Sequence, residues 1–400
     1  MQIRLALLVL ILFSGQAALA EVITVNSTED LPDFDLLDGA ADADPNTAGN
    51  QVTLRAAIQH ANATAGADEV VVPAGKYRLK LKGAQEDQGA TGDLDITEDL
   101  TITGAGSSST TIDGKKAKDR ILEVASGVTA TITGLTLSKG QTQKNDGGGG
   151  GIRNHGSLTL DDMVFQKCSS KDDAGALDQQ GDAMTVTDSV FLKNKAKDDG
   201  GAVDVDDGTA TFERVSFVKN KAKDEGGALE NSAQSVDLIN VTFSRNRAKN
   251  EGGAVSNEDG GTMNLTNVTF ADNKAKEGSA ISTQDEGIVP NTTNVLNVLF
   301  AKNQKKNRTC AGSLTSLGGN LDFGTSCGFG AGDLSDTDPK LQKLSASSMP
   351  VHELKGSSPA IDGGTDPNCP LEDQLGNPRV DIPGVGTAIC DIGAVEFQGS

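Results

Sequence analysis

Residues 191–203 read FLKNKAKDDGGAV, residues 217–229 read FVKNKAKDEGGAL, and residues 243–255 read FSRNRAKNEGGAV. One pattern returns every 26 residues, and that period decides the fold. Its Phe-x-x-Asn half recurs at Phe191 with Asn194, Phe217 with Asn220, Phe243 with Asn246, Phe270 with Asn273 and Phe300 with Asn303. The phenylalanine spacings are 26, 26, 27 and 30. An earlier rung, Phe165 with Cys168, precedes them. In phase run Gly175-Ala176-Leu177, Gly201-Ala202-Val203, Gly227-Ala228-Leu229, Gly253-Ala254-Val255 and Ser279-Ala280-Ile281. Before each Phe the apolar residues fall largely in alternation, as in Val236, Leu238, Val241, Phe243 and in Met263, Leu265, Val268, Phe270. Alternation is the period of a strand, and the Gly pairs would break a helix. The leucine-rich repeat has a compatible length, but its L-x-x-L-x-L pattern is missing. The expectation is an all-β parallel solenoid, one coil per repeat, with coils stacked ~4.8 Å apart.

Stacking assigns the repeated residues. Phe165, Phe191, Phe217, Phe243, Phe270 and Phe300 form an interior column, each contributing roughly 1.5–3 kcal/mol. Asn194, Asn220, Asn246, Asn273 and Asn303 form a second column at a turn, where amides bond neighbouring amides and the turn backbone. The Gly of each Gly-Ala-apolar triplet (Gly201, Gly227, Gly253) supplies positive φ at a corner. Cys168 stands in the Asn position of the first rung and reads as a buried substitute, not a nucleophile. Beside the Asn column lies a stripe of Lys197, Lys223, Lys249 and Lys276, with acids next to it. It reads as a solvated face or, more sharply, as a ribbon for a partner.

Composition removes several function classes. The chain of 400 residues has 35 Lys+Arg against 56 Asp+Glu, a net charge of -21, no Trp and one Tyr. A nucleic-acid binder would carry basic excess and stacking aromatics. The first twenty residues, MQIRLALLVLILFSGQAALA, have Arg4, an apolar run from Leu5 to Phe13 and a small-residue end at Ala18-Leu19-Ala20. This predicts a signal peptide over 1–20, cleaved after Ala20; the run is short of the ~20 apolar residues that span a bilayer. Export makes disulfides expected. Cys310 and Cys327, and Cys369 and Cys390, are close pairs in sequence; crossed pairing stays open. No CxxC or His cluster suggests zinc.

The ends differ from the middle. Residues 21–50 hold eight acids and no base. Leu54, Ala57, Ile58 and Ala61 lie on one face of a helix expected over 52–64 and ended by Gly66. The organisation expected is an N-terminal cap over 21–66, coils over 67–303 (irregular to about 140, regular from about 150), and C-terminal coils and a cap over 304–400. Thr53-Leu54-Arg55-Ala56-Ala57-Ile58, Ala61-Asn62, and Val72-Pro73-Ala74-Gly75-Lys76-Tyr77 resemble the CSLREA domain of bacterial exported proteins. Gln51 and Val52 stand near that family's Cys and Ala56 replaces its Glu, so a cap disulfide through that Cys is absent. Ser358-Pro359-Ala360-Ile361-Asp362, Asp373-Gln374, Arg379 and Cys390-Asp391-Ile392-Gly393-Ala394 resemble the choice-of-anchor Q region, which the Cys369–Cys390 pairing fits. The rungs are similar to those of chlamydial polymorphic outer-membrane proteins, which are adhesins. Together the resemblances imply a right-handed, pectin-lyase-like β-helix.

The fold class that the resemblance implies includes enzymes. His155, in Arg153-Asn154-His155-Gly156, is the one catalytic candidate; His60 and His352 read as structural or exposed. Acid pairs such as Asp161-Asp162, Asp172-Asp173, Asp198-Asp199 and Asp206-Asp207 are too common among 56 acids to point anywhere. Asp42-Ala43-Asp44 and Asp333 through Asp338 are acid-rich loops that suit calcium, neither with EF-hand spacing; no cofactor is otherwise expected. The function expected is an exported non-catalytic β-helix, a binding, adhesin-like or structural protein. It would lie outside the cell, on an outer-membrane surface or in the periplasm. Its partner would be a cell-surface glycan or a host or other cell protein. The alternative is a secreted polysaccharide lyase or glycoside hydrolase. The adhesive reading rests on family analogy.

Overall fold

The computed structural model describes residues 20–83, 86–144, 146–232, 235–283, 289–303, 308–385 and 389–399. The signal peptide expected over 1–20 lies outside them except for Ala20. One coil shows the plan. Val203–Val205 is a strand of a first sheet, Thr209–Glu213 of a second and Ser216–Val218 of a third. The chain then turns and lays Leu229–Asn231 beside Val203–Val205 in parallel. Repetition builds three parallel sheets of nine, eleven and ten strands among the described residues. The fold is an all-β parallel β-helix. A strand–crossover–parallel strand connection is right-handed in nearly all proteins, the hand the resemblance implies.

Stacking is in register, so like lies on like. Phe191 pairs with Phe217, Phe217 with Phe243, Phe243 with Phe270 and Phe270 with Phe300. From Phe165 to Phe243 the ring centroids are 4.7, 4.8 and 4.7 Å apart, with planes within 7° of parallel. The last two steps are 5.0 and 5.1 Å. Phe212, from the second sheet, meets Phe217 edge-on at 5.6 Å, the favoured alternative geometry for an aromatic pair.

The inner asparagines, Asn220, Asn246 and Asn273, use all their side-chain bonding capacity. Asn220 donates from Nδ2 to Asn246 Oδ1 at 3.1 Å and to the Phe191 carbonyl at 2.9 Å. Its Oδ1 accepts from the Asn194 backbone N–H and Nδ2. The bonds repeat to Asn303. Cys168 begins the column: it is buried, and its N–H donates to Asn194 Oδ1 at 2.9 Å. Burial pushes its thiol up to about 12, so it stays protonated. The residue before each Asn (Lys193, Lys219, Arg245) is left-handed, with φ of 59°, 58° and 59°. That conformation costs an L-residue on the order of 1 kcal/mol, and the ladder holds it in place.

The structure corrects the role of the triplet glycines. Positive φ belongs to the preceding residue, as at Gly226, φ +52°. At Gly227 the constraint is space: a Cβ would stand 2.2 Å from the Gly253 carbonyl oxygen.

At the N-terminal end, Val22–Thr24 joins the second sheet beside Asp68–Val72. The helix spans Leu54–Ala63, shorter at each end than expected. Thr53 is its N-cap and accepts from the Ala56 N–H; the helix ends on an extended Thr64, two residues before Gly66. Arg55, fully buried, pairs with Asp30 at 2.8 Å and donates to the carbonyls of Gly89, Gly92 and Asp93. This one side chain binds helix, acidic segment and first coil together. His60 is buried on the same helix, 3.2 Å from Glu21.

The last coil is Cys310–Gly312, Thr315–Gly318 and Leu321–Asp322. Disulfides join Cys310 to Cys327 and Cys369 to Cys390. The tail does not stop over the end of the solenoid. It returns along the third sheet, where Asn267 donates to the Asp391 and Gly393 carbonyls, Thr242 to Gln374 and Ser216 to the Pro350 carbonyl. Within it Arg379 pairs with Glu396 at 2.8 Å, and His352 is buried against Ser244. No helix among the described residues is long and apolar enough to cross a membrane.

Phe217→Ala removes the middle ring of the column and is expected to cost ~3–5 kcal/mol in denaturant unfolding. A change near zero would contradict the stacked interior.

Candidate functional site

The first sheet carries the site. In its three-residue strands the outer two side chains face the core and the middle one faces away. Those middle residues stack as Asp95, Glu123, Arg153, Asp178, Asp204, Glu230, Ser256 and Ser282. An outward position should be wet, yet Asp204 is 3% exposed and Glu230 7%. The cause is the turn before each Gly pair, whose acids fold over the strand. Ser256 Oγ donates to Glu225 Oε2 at 3.3 Å, and Ser282 Oγ to Glu251 Oε2 at 2.8 Å. The turn acids also stack: the Glu225 N–H donates to Asp199 Oδ1, and the Asp199 N–H to Asp173 Oδ1. Behind the strands Asp206 accepts from Gln180 at 3.3 Å and from Ser232 at 3.5 Å.

Charge compensation varies along this band. At the N-terminal end Arg120 pairs with Glu123 and, at 3.4 Å, with Asp93. Arg153 lies 3.3 Å from Asp178, and His155 Nε2 3.5 Å from Glu123 Oε1. Burial acts against the Glu123 carboxylate, but the His155 bond and the two arginines bring it below its ordinary range. Burial and neighbouring acids push Asp93 up to about 8. Burial, with Glu123 and other acids adding, pushes Asp95 up to about 7.

Farther along the bases stop. Asp204 is driven well above the carboxylate range by burial and then by Glu230, Asp206 and Asp178. Burial with acidic neighbours pushes Glu230 up to about 8, and burial with Glu258 pushes Glu225 up to about 9. Asp204 and Glu230 share a side-chain hydrogen bond, which raises the first carboxyl further and acts to lower the second. Four groups of three carboxylates bring oxygens within 4.8 Å of one another: Asp93/Asp95/Glu123, Asp173/Asp198/Asp199, Asp204/Asp206/Glu230 and Asp362/Asp391/Glu396.

His155 stands between two clefts. One, of about 270 Å³, is lined by Asp87, Asp95, Thr97, Glu123 and Ser126; the other, of about 440 Å³, by Gln180, Asp182, Asp207 and Thr209. The Asp95 and Glu123 carboxylates bring oxygens within 4.8 Å of each other.

The other expected residues fall elsewhere. Lys197, Lys223, Lys249 and Lys276 are exposed at the turn between the third and first sheets. A flanking row, Lys195, Lys221, Arg247 and Lys274, is bridged in parallel from coil to coil. Arg245 of a third row borders a hollow of about 560 Å³ under the tail, with Lys302, Lys343, Lys355, His352 and Asp272. In the acidic loops named for calcium, Asp42 Oδ1 accepts from the N–H groups of Asp44 and Gln51, and Asp333 accepts from the Asn320 N–H and the Ser316 hydroxyl. Asp204, Glu225 and Glu230 were not singled out in the sequence. Their signal is the same 26-residue step, at positions Asp178, Asp204 and Glu230, hidden among other acids.

Residues 240–258 match the Chlamydia polymorphic membrane protein repeat, a stretch that includes Phe243, Asn246 and the following Gly pair. The crystal structure of pectate lyase Pel9A aligns over 94% of this chain and 96% of its own, at 12% identity and a TM-score of 0.48. No curated protein matches the sequence.

The raised carboxyls set a sign for stability against pH. Glu230 and Glu225 titrate at about 8 and about 9 when folded and near ~4.3 when unfolded. Between those limits the native chain holds the extra protons, so their contribution is lost as pH rises. Thermal melts in chelator are expected to fall from about pH 5 to about pH 9. Glu230→Gln should flatten part of that slope, and an unchanged slope would show that Glu230 is not held protonated.

Proposed function

We propose that the chain is an exported, surface-exposed β-helix that binds an anionic glycan along its basic ridge. The observation that carries this reading is the ridge itself. Lys197, Lys223, Lys249 and Lys276 stand one per coil, all exposed, and none forms an ion pair among the described residues. Coils ~4.8 Å apart lie within the ~8 Å Debye length, so neighbouring charges add into a linear field. In a chain of net charge -21 this is a local reversal of sign. The third row leads to the hollow of about 560 Å³ beside Arg245, Lys302, Lys343 and Lys355, a natural terminus for a polyanion. Export is supported by the signal-like residues 1–20 and by two disulfides. The end motifs support CSLREA-type and choice-of-anchor Q-type caps. The repeat match supports a place on the cell surface, as an adhesin-like protein.

A second reading, a secreted polysaccharide lyase or glycoside hydrolase, is favoured by one observation: His155 lies 3.5 Å from Glu123 between two clefts. One panel separates the two. On immobilised polyuronates and sulfated glycans, the triple change Lys197→Glu, Lys223→Glu and Lys249→Glu should weaken binding roughly 10- to 100-fold and reduce its salt dependence. Unchanged binding, or capture only by a protein partner, would remove the glycan reading. Release of reducing ends or unsaturated products that stops in His155→Ala and Glu123→Gln would put catalysis in its place.

A further inference from the structure

We propose that removal of residues 1–20 leaves an α-ammonium on Glu21 that pairs with the buried carboxylate of Asp68 and fastens the first strand to the edge of the second sheet. The inference rests on the cleavage expected after Ala20 and is independent of the glycan reading. Two unrelated observations meet at one atom. In the sequence, the small residues Ala18 and Ala20 set the cleavage immediately before Glu21. In the structure, the Glu21 backbone nitrogen lies 2.7 Å from Asp68 Oδ1, within the ~2.7–2.9 Å of a charge-assisted bond. Asp68 is 2% exposed, and its Oδ2 accepts the Thr64 hydroxyl at 2.6 Å. Among the described residues no Lys, Arg or His side chain forms an ion pair with it.

A carboxylate taken out of water is normally paired with a charge, and here processing supplies it. Hydrolysis by a signal peptidase consumes one water at the Ala20–Glu21 bond. The water oxygen goes to the Ala20 carbonyl carbon and both its protons to the Glu21 nitrogen, so an amide becomes a carboxylate on Ala20 and an ammonium on Glu21. The chain needs no rearrangement to make the pair. The Glu21 carbonyl accepts from the Glu69 N–H at 2.8 Å, and Val22–Thr24 lies in parallel register with Glu69, Val70 and Val71, so the nitrogen is held from its C-terminal side. The other charged groups on the packed elements are the Glu21 and Glu69 carboxylates and His60, whose Nε2 is 3.2 Å from Glu21 Oε2; Glu69 Oε1 accepts the Thr103 hydroxyl at 2.7 Å. Val22–Thr24 is the outermost strand of the second sheet, the one that covers its edge. In the uncleaved chain the same nitrogen is a neutral amide, and the bond to Asp68 is made without the charge.

The experiment compares the exported chain, whose intact mass should place Glu21 first, with a chain that keeps residues 15–20 in front of it. Each is made with Asp68 and with Asp68→Asn, which retains an acceptor and loses the charge. At pH 7 the Glu21 α-amine of the wild type should react with an acylating reagent about 10-fold more slowly than that of Asp68→Asn, the effect of one pKa unit. Keeping residues 15–20 should lower the melting temperature by roughly 1–4 °C when Asp68 is present and make no difference in the Asp68→Asn background. An amine raised above its unfolded value of ~7.7–8.0 contributes in full at pH 7 and loses that contribution as pH rises through the folded value. The gap between the two chains should therefore close above about pH 10; Glu225 and Glu230 are common to both and cancel. Equal amine reactivity with and without the Asp68 charge would overturn the pair. So would an equal cost of residues 15–20 in both backgrounds, or an exported chain that begins at another residue.

Discussion

Every column in this protein depends on one constraint: each coil must lie on the last without slipping by a residue. A slip of one would send inward side chains outward along the whole strand. The apolar interior alone does not forbid larger steps, since a coil of similar residues looks much the same after sliding. The asparagine column supplies the missing reference. Each inner amide donates up to the next Asn and back to a Phe carbonyl, while its oxygen takes the two donors of the Asn below. With that capacity used in full, a displaced coil leaves buried polar atoms without partners, at a cost of ~1–3 kcal/mol each. The phenylalanines follow and stack nearly parallel at 4.7–5.1 Å.

Register inside dictates register outside, and there repetition is a burden. A neutral ring gains by standing on its copy; a charge does not. On the turn, the cost is moderated by water around the exposed lysines. On the first sheet, overhanging turn acids exclude water, and the repulsion appears as carboxyl groups that hold their protons to about 7, 8 and 9 at Asp199, Glu230 and Glu225. The same column is neutralised by arginine at one end and becomes serine at the other, at Ser256 and Ser282. The uncompensated middle is thus a local feature of two coils.

What could be read in the sequence follows from this division. The phenylalanine and asparagine columns were legible because few residue types serve those positions and the period exposes them. The paired cysteines were legible by proximity. The glycine roles were only half legible: composition marks the corner, but whether φ or space demands glycine at Gly226 or Gly227 depends on the coil above. The carboxylate cluster was obscured because Asp204 and Glu230 occupy outward positions, and their burial comes from a turn whose course the period does not specify. The return of the tail was illegible for a different reason: Gln374 bonds Thr242 and the Val215 carbonyl across a long sequence separation, with no local pattern to announce it.

That returning tail changes how the molecule would yield to force. A solenoid pulled from one end should peel one coil at a time, each step breaking only that coil's ladder bonds. Here the last coils are cross-tied from outside, from Asn297 back through Asn267 and Thr242 to Ser216. Traction on the C-terminus therefore loads the strap in shear, many bonds at once, before any coil can be unzipped. Toward the N-terminus the external tie is shorter, Ser107 to Asp162 across one intervening coil, so the protein is mechanically two-toned: a laminated distal half and a proximal half that yields more nearly rung by rung.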